Sequence, residues 1–121
     1  MRVLVSFGRR YAVYGDVVAD ALRLSVEALT AEVVVPEELD VVVASFEPHL
    51  IIADRAPKLD GAVGWVSLPV ETGRSATFSI AGELRASFNP SFEDLLALVE
   101  EVRRTVYEDR GRTDISRGWH A

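Results

Sequence analysis

Leu50-Ile51-Ile52-Ala53 is an apolar run with no polar position on either face, opened by Pro48-His49 and closed by Asp54. A strand with one face in water alternates apolar and polar side chains. A strand that is apolar throughout must be covered on both faces, as central parallel strands are. This run therefore constrains the chain to an α/β layout in which helices pack on both sides of a sheet. An acid at the end of such a strand stands at the sheet's carboxyl edge, where open α/β sheets bind ligands. Asp54 is accordingly the first candidate residue.

The flanking pattern extends the same layout. Arg2 to Phe7 is β-branched-rich and reads as a first strand, broken by Gly8-Arg9-Arg10-Tyr11. A helical period follows from about Asp16 to Leu29, with Val18, Ala21, Leu22, Ser25 and Leu29 on one face and Val17, Leu24 and Ala28 widening the stripe. Ala31 to Val35 is a second strand closed by Pro36. Leu39, Val42, Val43 and Phe46 then recur at helical spacing up to Pro48. Three strands joined by two right-handed crossovers predict a parallel sheet in the order 2-1-3. Beyond Asp54 the period changes: Trp65–Val70, Ala76–Ile80 and Leu84–Phe88 alternate like strands, separated by Gly73 and Gly82, so the second half is β-rich and open to antiparallel pairing. Ser91 and Asp94 form a capping box for a long last helix striped by Phe92, Leu95, Leu96, Val99, Val102 and Val106. The expected organisation is one α/β domain over residues 1–110 and a flexible tail over 111–121.

Composition narrows the function. A net charge of −6 disfavours a nucleic-acid binder, which needs clustered positive charge for phosphates. Twelve of the thirteen basic residues are Arg, which reads as genomic base composition before any binding role. No apolar run reaches the roughly 20 residues that cross a bilayer. With no signal-type start and no cysteine, a cytoplasmic protein without thiol chemistry or Cys-based metal sites is expected. His49 lacks a second ligand at metal spacing, and His120 lies in the tail, so no metal site and no cofactor are expected.

In chain order and local motifs the sequence resembles the receiver domain of bacterial response regulators, a flavodoxin-like fold, over most of residues 1–107. Pro48-His49-Leu50-Ile51-Ile52-Ala53-Asp54 resembles the receiver strand that ends in the phosphoacceptor aspartate, and Ala56-Pro57-Lys58-Leu59-Asp60-Gly61 resembles the Pro and Asp-Gly after it. The resemblance implies Asp54 as phosphoacceptor, Ser67 as the switch hydroxyl, and Asn89-Pro90 in place of the Lys-Pro before the last helix. The positions of the receiver's metal-binding acid pair hold Phe7 and Gly8. Phosphoryl transfer needs cationic charge on the transferring oxygens, and both the metal ligands and the lysine are replaced. The spacing from Asp54 to Pro57 is one residue short, and the following region lacks the pattern of two receiver helices. More narrowly, the chain is similar to a small set of uncharacterised actinobacterial receiver-like proteins with a Tyr-rich first loop, a Trp-bearing strand and Asn-Pro before the last helix.

Two functional classes follow. One is a non-catalytic regulatory or protein-interaction domain without Mg-dependent phosphorylation, with an unidentified protein partner and a homodimer through the uncovered edge of the β-rich half. The other is a binder of a small anionic ligand, or an enzyme, using the cleft bounded by Phe7–Tyr11, Asp54–Ala56 and Ser67–Pro69. There Arg9, Arg10 and Tyr11 are the anion-binding candidates at a helix start. No catalytic residue is assigned, since no Gly-x-Ser-x-Gly elbow or Ser-His-Asp set is present. Asp54 also has a plain structural reading: a carboxylate at a strand end caps backbone amides or pairs with Arg55 or Arg74. Trp65 reads as a core or interface aromatic, or as a pocket wall. Tyr11 and Tyr14 read as packing groups.

Overall fold

The computed structural model describes residues 1–55, 64–68, 75–80, 83–88 and 91–120. The described residues form a mixed α/β structure with a six-stranded mixed sheet and three α-helices. The strands are β1 (Arg2–Ser6), β2 (Thr30–Val33), β3 (Leu50–Ala53), β4 (Gly64–Ser67), β5 (Ser75–Ile80) and β6 (Glu83–Phe88). The helices are α1 (Ala12–Ser25), α2 (Leu39–Phe46) and α3 (Phe92–His120), with side chains described as far as Val106. Sheet order is β2-β1-β3-β4-β5-β6. The first four strands pair in parallel and the last two antiparallel. The expected parallel 2-1-3 core is present; the β-rich second half first extends it with β4 parallel to β3, and only β5 and β6 turn antiparallel. Expectations placed on Pro57, Lys58, Asp60-Gly61, Arg74 and Asn89-Pro90 fall outside the described residues.

Period-2 alternation divides the central strands between two cores. Val3, Val5, Leu50, Ile52, Val66 and Leu68 face α1 and α3, whereas Leu4, Ile51 and Ala53 face α2. Every residue of β3 is buried, as a strand apolar on both faces requires. The crossovers to β2 and to β3 run in opposite directions along the sheet. Right-handed connections therefore send α1 and α2 to opposite faces.

Local chemistry explains both ends of α2 and the start of α3. Pro36 starts a 3₁₀ turn before α2. Glu47 ends that helix in the left-handed region at φ 51°, donating its amide N–H to the Val43 carbonyl at 3.1 Å. The Ser91–Asp94 capping box is formed in both directions: Asp94 accepts the Ser91 amide at 2.8 Å, and Ser91 Oγ accepts the Asp94 amide at 3.2 Å.

Three details depart from the sequence-based expectation. The first helix begins at Ala12 and ends at Ser25, four residues earlier at each end than its periodicity predicts. Its buried side is Gly15, Val18, Ala19 and Leu22; Val17 and Leu24, expected to widen the stripe, are 58% and 89% exposed. The helix lies on one face of the sheet and needs only a narrow contact stripe, so its outer apolar residues meet water. On α3, Leu98 is buried while Phe92, expected in the stripe, is 39% exposed. The expected mobility of 111–121 concerns residues whose packing is outside the description.

Candidate functional site

The carboxyl edge is assembled from the ends of β1, β3 and β4. Asp54 directly follows β3, and its Oδ2 accepts the backbone N–H of Gly8, just after β1, at 3.0 Å. Its Oδ1 lies 3.4 Å from Arg55 Nε; the Asp54 side chain is 9% exposed and that of Arg55 72%. The carboxylate is thus sunk into the edge and the guanidinium stands over it in solvent. A side chain at Gly8 would crowd this contact: a Cβ there would stand 3.2 Å from Asp54 Oδ2 and 3.4 Å from Arg55 Nη2.

Phe7 and Gly8 occupy the positions where the resemblance places an acid pair, and they do structural work instead. Phe7 is buried in the main core, and Tyr14 meets it edge-to-face at 5.3 Å. Gly15 leaves room for that ring, since a Cβ there would lie 3.2 Å from Phe7 Cδ1. Among the described residues no group of three His, Cys, Asp or Glu side chains is placed to hold a metal ion.

The anion-binding candidates form one 3₁₀ turn, Arg9–Tyr11, between β1 and α1. Arg9 and Arg10 are exposed, Tyr11 is half-buried against the main core, and the Arg10 guanidinium sits 5.7 Å from the Tyr11 ring centroid. No side chain caps this turn, although Asp54 holds the amide at its start. A second anion at that amide would have to displace Asp54.

Ser67 ends β4 in register with Ala53, and the amide of Leu68 donates to the Ala53 carbonyl at 2.8 Å. Ser67 therefore lies beside the residue before Asp54, half-buried, in the row Ser6–Ala53–Ser67–Thr77. Paired residues of neighbouring strands share a face, so this row is on the α2 side. Trp65, on the same side, packs partly buried against the α2 cluster.

The sequence reading passed over Ser6. Its hydroxyl is 1% exposed at residue level and Oγ has no hydrogen-bond partner. A polar residue closing an otherwise apolar strand was the available signal. It also passed over His49 as a structural group: Nδ1 accepts the Arg2 backbone N–H at 2.9 Å, which ties β3 to β1 at the opposite edge of the sheet. No helix among the described residues is long and apolar enough to cross a membrane. Comparison of the chain with protein-family models, with curated proteins and with solved structures finds no match in any of the three.

Proposed function

We propose that the chain is a receiver-like, flavodoxin-like domain that acts as a non-catalytic regulatory or protein-interaction module. Support for the lineage is the 2-1-3 parallel core with an acid directly after β3 and a serine closing β4. The observation that carries the functional half is the engagement of Asp54. A phosphoacceptor needs a carboxylate oxygen open to in-line attack and cationic charge beside it. Here one oxygen accepts the Gly8 amide and the side chain is 9% exposed. Phe7, at the metal-acid position, is core. The cation in contact with it, Arg55, is a mostly exposed side chain at 3.4 Å. Incubation with a small phosphodonor and Mg²⁺, read by intact mass, tests the proposal: an unchanged mass is expected, and stoichiometric phosphorylation lost in Asp54→Asn overturns it.

A second reading, binding of a small anion at the same edge, is favoured by one arrangement. Arg9 and Arg10 are exposed and directly follow Gly8, and Arg55 Nη2 would lie 3.4 Å from a Cβ on that glycine, so three arginines gather near the Gly8 turn. Such a cluster suits a phosphate or carboxylate held outside Asp54. A thermal-shift screen with sugar phosphates, nucleotides and dicarboxylates checks it. Stabilisation by any of these should vanish in Arg9→Ala/Arg10→Ala, and a screen without stabilisation rejects the reading.

A further inference from the structure

The chain carries a second concavity, away from Asp54, on the opposite face of β4. A cavity of about 210 Å³ lies between α3 and strands β4 and β5, floored by Val66, Leu68, Ala76 and Phe78 and walled by Leu95 and Leu98. Val66, Ala76, Leu68, Leu95 and Leu98 are each buried. Its rim is of different chemistry. Asp94, Ala97 and Glu101 also line it, all on α3 at positions 94, 97 and 101, hence along one side of the helix. Asp94 and Glu101 stand two turns apart, so carboxylates flank the opening at both ends.

Neither acid is an isolated surface charge. Asp94 Oδ2 is held by the Ser91 amide, and Glu101 is held by Arg85 Nη1 at 3.0 and 3.3 Å. Arg85 is the register partner of Phe78 and also meets Glu83 at 3.3 Å. Arg85 thus meets two carboxylates, Glu101 and Glu83, while Asp94 is held by a backbone amide, so among the described residues the acids at and beside the opening outnumber its one guanidinium. An apolar cavity of ~150 Å³ already takes up benzene. Drug-sized ligands need ~300 Å³ or more. The space here suits a single ring with a short arm.

The geometry points to a binding site for a small arylalkylamine: the ring enters the floor between Phe78, Leu95 and Leu98, and the ammonium stays at the rim with Glu101 or Asp94. This site does not rest on the reading of Asp54 given above. The sign of the rim selects the charge of the ligand, and the volume selects its size.

The test titrates the full chain with phenethylamine, 2-phenylethanol and 3-phenylpropionate, followed by protein NMR shifts. The amine is expected to saturate with a Kd of roughly 1 mM, fitting the efficiency of so few atoms. Its preference over the alcohol should be about threefold, because a rim charge is partly screened. The carboxylate should bind at least about tenfold more weakly than the amine. Glu101→Gln should bring amine and alcohol together. Ala97→Trp, at an exposed helix position, should block all three. Nuclear Overhauser contacts from the ring to the Val66, Leu68 and Leu95 methyls in the unaltered protein give an independent readout. The inference is overturned by an absence of saturable amine binding, by equal binding of the carboxylate, or by ring contacts elsewhere on the surface.

Discussion

Truncating Asp54 to Ala separates a structural carboxylate from a functional one, and the structure sets the size of the effect. The lost interactions are the Gly8 N–H bond at 3.0 Å and the contact with Arg55 at 3.4 Å. A hydrogen bond to a charged acceptor contributes about 1.5–3 kcal/mol when buried. Asp54 is 9% exposed but Gly8 is only half-buried, so water reaches the freed amide in part and the lower half of that range applies. The Arg55 pair, with its guanidinium 72% exposed, adds about 0–0.5 kcal/mol. The expected loss for Asp54→Ala is therefore about 1.5–2.5 kcal/mol, a fall in Tm of roughly 5–12 °C for a chain of this length. Asp54→Asn keeps an acceptor for Gly8 and should lose only about 0.5–1 kcal/mol. Urea unfolding followed by tryptophan fluorescence measures both, with Asp20→Ala as a control for an exposed ion pair to Arg23. A site kept for chemistry commonly sits at a cost to stability. If Asp54→Ala is as stable as the parent or more so, capping is refuted and Asp54 regains a claim to a functional role.

Three further outcomes follow from single residues. Ser6→Ala removes an unpartnered hydroxyl from the core row and should stabilise the fold by about 1 kcal/mol in chemical denaturation, whereas a loss means the hydroxyl has a partner in solution. Glu47→Gly relieves a left-handed residue at φ 51° and should raise stability by about 1 kcal/mol by the same assay; no gain would place the strain elsewhere. Ser91→Ala breaks the capping box of α3 and should cost about 1 kcal/mol, seen as a lower Tm together with faster amide exchange in the first turn of that helix.

The two halves of the sheet have different cover. Strands β1 and β3 are buried between α1, α3 and α2, and the paired clusters on their two faces account for their apolar sequences. Strand β6 forms one edge of the sheet, carries Leu84 at 67% exposure, and sends Arg85 back to Glu101 on α3. The Arg85 guanidinium is held further in its charged form by Glu83 and then by Glu101. A cation whose charged form is favoured by folding contributes fully below its ordinary titration range and loses that contribution only above it, so the Arg85 guanidinium itself brings no pH dependence near neutrality. An edge strand with an exposed leucine is where pairing with a second copy is proposed, and sedimentation measures it.

The run Leu50–Ala53 was enough to demand helices on both faces, because a strand without polar positions has no face to give to water. Capping chemistry at Ser91 and Asp94 was likewise legible, since its two bonds span three residues. The limits of α1 were not. Gly15 suits that helix because the ring of Phe7, eight residues earlier, would crowd a Cβ there at 3.2 Å. Burial of Leu98 and exposure of Leu24 depend on how wide a stripe each helix lays on the sheet, which spacing alone does not state. Asp54 shows the same division: its place at the strand end could be read from order, but its partner at Gly8 lies 46 residues away. The cavity under α3 belongs wholly to tertiary structure, since it is the space left where a helix spans two strands of opposite direction. Sequence patterns report periodicity and local bonds; gaps and long-range acceptors arise from packing.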